Sequence, residues 1–233
     1  MSKRVIKKIF AVILSISCLM YANMSAFAAG TGNTEAIVSV NGSVRTAVTY
    51  DADYEYTVRY DTAKNTIQMS VRDLTSGEVR NGQIVSCEDV IVPQTRATIH
   101  QDTFTNYEYD IYTGNPNKWH LERPKEAFSQ YYFDVNETSS NKDRLNTYRS
   151  AVDTLNAQEI RVVSKGGKAM AAAAAAAFIS GMASVSGGAL TVAAITAAVA
   201  AVGATGETAE EITAMGNCCN DCLYAYMDVF NNQ

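Results

Sequence analysis

The chain has 233 residues, 47% of them hydrophobic and 18% charged, with 19 Lys plus Arg against 24 Asp plus Glu and a net charge of −5. An acidic chain is not drawn to nucleic acid or to anionic lipid by its overall field. This argues against a nucleic-acid partner, and any membrane activity has to come from hydrophobic burial or from a membrane receptor.

The first 29 residues read as an export signal. Lys3, Arg4, Lys7 and Lys8 form a basic start, Ile9 to Tyr21 an apolar run, and Ala26-Phe27-Ala28-Ala29 a small-x-small cleavage site. The apolar run is shorter than the ~20 residues of a spanning helix. Cleavage after Ala28 or Ala29 removes four positive charges, leaving 15 against 24 and a net of −9. The expected location is extracellular.

Export bears on the cysteines. Cys18 leaves with the signal, and Cys87, Cys218, Cys219 and Cys222 remain in a compartment where disulfides form. A bridge between the adjacent Cys218 and Cys219 is strained, so Cys87 is expected to bond one of the C-terminal three. A four-thiolate zinc site is the rival, but paired CxxC knuckles are absent. No metal and no cofactor are expected.

Residues 30–135 read as a β-rich unit, an antiparallel sandwich or open barrel. Asn41-Gly42 between two apolar runs is a hairpin signal. Tyr54, Tyr56, Val58 and Tyr60 alternate with polar residues, as do Ile67, Met69 and Val71 after the turn-prone 61–65. Val90-Ile91-Val92 ends at Pro93, and Tyr107, Tyr109 and Ile111 make a further strand before Gly114-Asn115-Pro116-Asn117. Alternating tyrosine fits a half-buried pleated face, and packing is its default role. A ligand-binding face is the sharper alternative. Between Trp119 and Val135 the pattern supports helix and strand equally.

Residues 136–233 read as a helical bundle. Leu145, Tyr148, Val152 and Leu155 mark a helix from Ser139 or Ser140 to Val163, ended by Gly166-Gly167. From Ala169 to Gly206 there is no charged side chain. Ala171 to Ala177 are the strongest helix formers, and Ser186-Gly187-Gly188 breaks the run. The prediction is a hydrophobic helical hairpin over 169–206, with arms Ala169–Val185 and Ala189–Ala204 and its tip at Gly187-Gly188. Phe178, Met182 and Val185, with Ala171 and Ala175, form one seam, and Val192, Ile195, Val199 and Val202 the other, at coiled-coil spacing. Each arm is about 25 Å long, short of a ~30 Å hydrocarbon core. Phe178, Ile179 and Val185 give the first arm only about 1–2 kcal/mol of insertion energy. Such a segment suits either a soluble core or lipid, and the uncharged tip keeps crossing cheap. A last helix from Glu207 to Phe230 carries the stripe Ile212, Met215, Cys219, Leu223 and Tyr226.

The order of export signal, β-rich region and charge-free Ala/Gly hairpin resembles secreted bacterial antimicrobial and pore-forming proteins. The hairpin is similar to that of the pore-forming colicins. Size, signal and Ala-rich second half resemble the large, unmodified geobacillin-26-like bacteriocins of Gram-positive bacteria. The resemblance is one of architecture, centred on Lys165 to Glu211, and it carries over no site residues. It implies killing of competing bacteria at their membrane, with an immunity protein as a further partner.

An enzyme finds little support. His100 and His120 are the only imidazoles, and neither sits in a metal or catalytic motif. The alternative function is a secreted, non-enzymatic binding or inhibitory module whose Tyr-rich sheet engages a cell-wall or protein ligand, the hairpin being only core.

Overall fold

The computed structural model describes residues 35–88 and 99–232, together with the backbone of 25–28. The remainder of the expected signal, with Cys18, and the run Val90–Pro93 lie outside the described residues.

The fold is α+β. Seven strands form one antiparallel sheet: β1 (Ser25–Ala28), β2 (Glu35–Asn41), β3 (Val44–Tyr50), β4 (Tyr54–Asp61), β5 (Thr66–Asp73), β6 (Val79–Asn81) and β7 (Val85–Ser86). Their order is β1-β2-β3-β4-β5-β6, with β7 pairing farther along β5. The four residues just before the expected cleavage point thus serve as its edge strand, Ser25 opposite Val38. The Asn41-Gly42 turn joins β2 to β3 with Gly42 at φ 60, a left-handed position that favours glycine. A second, four-stranded antiparallel sheet runs β11-β10-β9-β8, from β8 (Ile99–Gln101), β9 (Glu108–Tyr112), β10 (Lys118–Glu122) and β11 (Tyr132–Asn136). The ambiguous aromatic stretch 119–135 therefore supplies two strands. Among the described residues, the strand order of neither sheet closes on itself.

Four helices follow: α1 (Lys142–Gly166), α2 (Lys168–Ser184), α3 (Val192–Val202) and α4 (Gly206–Asn231). In α1, Leu145, Tyr148, Val152 and Leu155 are all fully buried, and in α4 so are Ile212, Met215, Cys219, Leu223 and Tyr226. These two amphipathic helices pair with each other. Helix α2 lies on β5, and α3 on β2, β3 and β4. Gly216 of α4 meets both Ile195 of α3 and Phe178 of α2, where a Cβ would stand 2.9 Å and 3.1 Å from their side chains. The apolar helices therefore form a middle layer between the large sheet and the α1–α4 pair. One cluster of buried residues runs from Ala36 to Val229 through both the β-rich and the helical parts.

This layering accounts for the composition. A helix covered on all sides has no face for a charge, and every residue from Ala171 to Met182 is buried. Alanine and glycine allow the sheet to come close. At Gly82 a Cβ would stand 2.0 Å from the Ser180 carbonyl oxygen, so only glycine fits there.

Candidate functional site

The first candidate is the apolar layer itself. Phe178, Ile179, Met182, Ile195 and Val199 are buried in it, while Val185 and Val202 are half-buried at its ends. Val192 is 61% exposed, so the seam expected along α3 begins only at Ile195. The helix starts at Val192, with the Thr191 hydroxyl accepting the Ala194 N–H, which turns the first residue outward. The link 185–191 has an exposed Gly187 and a buried Gly188, both at positive φ, with Gly188 against the Phe128 ring.

Polar side chains tie the layer to its surroundings. The Ser180 hydroxyl accepts the Met69 N–H at 2.8 Å and donates to the Gln83 carbonyl at 2.6 Å. Thr49 donates to the Ala193 carbonyl at 2.7 Å, and Arg45 Nε to that of Ala200 at 2.9 Å. The guanidinium thereby meets the negative end of the α3 dipole. Asn220 of α4 both accepts from the Leu190 N–H and donates to its carbonyl, each at 2.8 Å.

The cysteines depart from expectation. Cys87, Cys218, Cys219 and Cys222 are all free thiols, so the expected bridge from Cys87 is not formed in the structure. Cys87 sits where β7 ends, its N–H bonded to the Asn65 carbonyl, whereas the other three lie on α4. The tyrosines mostly pack: Tyr56, Tyr107 and Tyr109 are buried, and Tyr54 and Tyr60 lie against the core.

The second candidate escaped the sequence reading. The register of the four-stranded sheet sets His100, Asp110, His120 and Asp134 opposite one another across all four strands. Glu108 and Glu122 form the next row on the same face. The spacings Glu108-x-Asp110 and His120-x-Glu122 were the available signal, since residues two apart in a strand share a face.

Two clusters result. His120 Nδ1 lies 2.7 Å from Asp134 and Nε2 2.7 Å from Glu122. Hydrogen bonds to Glu122 and then Asp134, against the effect of burial, push this imidazole up to about 9. This favours the imidazolium at neutral pH, in which both N–H groups donate, to Asp134 and Glu122. His100 Nδ1 lies 2.6 Å from Asp110 Oδ1 and 3.8 Å from Glu108 Oε1, and Nε2 lies 4.0 Å from Asp102 Oδ2. Burial, then the neighbouring Glu122, pushes the Glu108 carboxyl up to about 7.

Helix α1 holds this face in place. The Tyr148 hydroxyl donates to the backbone carbonyls of Glu108 and Glu122, and Tyr109 donates to Asp153 at 2.7 Å. The Glu159 carboxylate accepts the N–H groups of Phe104 and Thr105 and the Thr105 hydroxyl. Comparison with family models, curated proteins and solved structures finds no match to this chain.

Proposed function

We propose that this is a secreted, bacteriocin-like antimicrobial protein that acts on the membrane of competing bacteria through its helices α2 and α3. The observation that carries this reading is a helix pair with no charged side chain beyond Lys168 at its start, stored between a sheet and two amphipathic helices. Ser180, Thr49, Arg45 and Asn220 are among its polar ties. Among the described residues no helix is long and apolar enough to cross a membrane. The 17 residues of α2 span about 25 Å and the 11 of α3 about 16 Å, against a core of ~30 Å. Release as a hairpin therefore places the pair partway into the bilayer, or lengthens it by recruiting the uncharged 185–191 and 203–205. An immunity protein in the producing cell follows from the same reading.

Dye leakage from liposomes made of Gram-positive lipids tests it, with the mature protein and a matched pair of variants. Gly187→Asp and Gly187→Asn share the same backbone strain at φ 79, but only the first carries a charge. An ionised residue adds ~3 kcal/mol to membrane entry, so leakage should survive in the Asn variant and fall in the Asp variant. Equal leakage from both removes the helix-pair mechanism.

A second reading, a secreted binding module, draws its support from the polar face of the four-stranded sheet rather than from the Tyr-rich sheet. Retention of the whole protein on purified cell wall, without leakage or depolarisation, would favour it.

A further inference from the structure

The four-stranded sheet brings together a donor set that the helix-pair reading does not use. We propose that His100, Glu108 and Asp110 bind a divalent metal ion of the zinc class, with Asp102 as the carboxylate that orients the imidazole.

Each of the three offers one ligand atom, and these atoms all lie within 4.8 Å of one another. A tetrahedral zinc with ligands at about 2.0–2.2 Å sets its ligand atoms roughly 3.3–3.5 Å apart. The separations from His100 Nδ1, 2.6 Å to Asp110 and 3.8 Å to Glu108, bracket that range. Shifts of about 1 Å in these side chains would bring the set to that spacing. A neutral imidazole with two carboxylates also balances a double positive charge. The imidazole selects a borderline cation over magnesium or calcium, which take all-oxygen sets of six or more. Three protein ligands leave a position for water.

The opposite edge of the ring supplies an independent observation. His100 Nε2 and Asp102 Oδ2 are buried, face each other across 4.0 Å, and have no hydrogen-bond partner among the described residues. Buried polar atoms left unpaired are costly and uncommon. A metal on Nδ1 fixes the proton on Nε2, and Asp102 then accepts it, the arrangement by which ligating histidines are generally oriented. One binding event thus uses both orphan atoms. His120 makes no such offer, since both its nitrogens are already engaged.

The backbone is prepared for a fixed geometry. Glu108 and Asp110 stand two apart on β9, His100 is opposite Asp110 on β8, and Glu159 holds the connecting loop at Phe104 and Thr105. Sites on strands supported in this way need little rearrangement to bind.

Calorimetry on the full chain after chelator treatment, titrated with zinc chloride, magnesium chloride and calcium chloride in turn, tests the proposal. One zinc per chain is expected, with a rise in Tm and no response to the other two. His100→Asn and Asp110→Asn should each weaken zinc binding at least tenfold, and Asp102→Asn about tenfold with all ligands kept. Cobalt substitution of the unmutated protein provides a second readout that needs no variant to fold. A spectrum of nitrogen and oxygen ligation supports the site, whereas a thiolate charge-transfer band places the metal on the cysteines of α4. No zinc uptake, a thiolate spectrum, or unchanged affinity in folded His100→Asn would each overturn it.

Discussion

The side chain of Ser180 stands in for a missing stretch of β-strand beside Met69. Between β6 and β7 the edge of β5 lacks a strand partner at the Met69 N–H, and the Ser180 hydroxyl accepts it at 2.8 Å while donating to Gln83. The hydroxyl thus joins helix α2 to the sheet through two backbone groups, one buried at Met69 and one partly buried at Gln83. Ser180→Ala leaves both unpaired, at a cost of about 2 kcal/mol. For a chain of this size that is a fall in Tm of roughly 4–8 °C. If α2 leaves its place at a membrane, the same variant should also leak liposomes faster than the unmutated protein. Calorimetry and leakage on one preparation check both; an unchanged Tm would mean that water replaces the hydroxyl.

Gly82→Ala is expected to be worse than Ser180→Ala. The added Cβ would lie 2.0 Å from the Ser180 carbonyl oxygen, a backbone atom, so rotating the serine side chain gives no relief. Helix and sheet must separate, at a cost above about 3 kcal/mol. Because the clash is with backbone, adding Ser180→Ala should not rescue the alanine variant. Denaturant unfolding of the two single variants and the double variant measures this, and full rescue would show that the side chain, not the carbonyl, sets the spacing.

The apolar stretch from Ala169 to Gly206, the stripe of α1 and the stripe of α4 are all legible in the sequence, because composition and 3.6-residue periodicity are local. What covers Ala171–Ala177 is not legible. A helix buried on every face has no periodic signal to give its neighbours away, and for the same reason the seam assigned to Val192 misplaced an exposed residue. The polar face of the second sheet was hidden differently. His100 and Asp110, or His120 and Asp134, meet only through strand register across ten or more residues. The short aromatic runs that form β10 and β11 gave too little pattern to fix that register beforehand.

Stability should fall as pH rises from the carboxylate range towards 9. Glu159 is almost wholly buried, and burial pushes its carboxyl up to about 7 despite its hydrogen bonds to Phe104 and Thr105. A carboxyl whose folded pKa lies above its ordinary value favours the fold when protonated. That advantage is lost as pH climbs from about 4.5 through 7, and amounts to about 3 kcal/mol at most. Glu108 acts in the same direction and window. His120, raised to about 9, contributes stability that is fully present below about 6.5 and lost as pH passes 9. Denaturant unfolding between pH 5 and 9 should therefore show Glu159→Gln flattening the lower part of the curve and His120→Gln the upper part. A Glu159→Gln curve parallel to the unmutated one would mean that the carboxylate is ionised throughout.

The thiols give the last prediction. Cys218 is half-buried, while Cys87, Cys219 and Cys222 are buried. Burial pushes the Cys87 thiol up to about 11 and those of Cys219 and Cys222 well above their ordinary value. The thiolate is the reactive form, so at pH 8 only about one part in a thousand of a thiol at 11 can react even when reached. Burial raises the Cys218 thiol as well, but it alone of the four has partial solvent access, so alkylation of the native protein should label Cys218 first. Unfolding without reductant should then add the other three, as mass spectrometry would show. If unfolding instead exposes two thiols fewer, a bridge formed during export. Where peptide mapping places that bridge on Cys87, its packing beside Asn65 belongs only to the reduced protein, whereas a bridge among Cys218, Cys219 and Cys222 stays within α4.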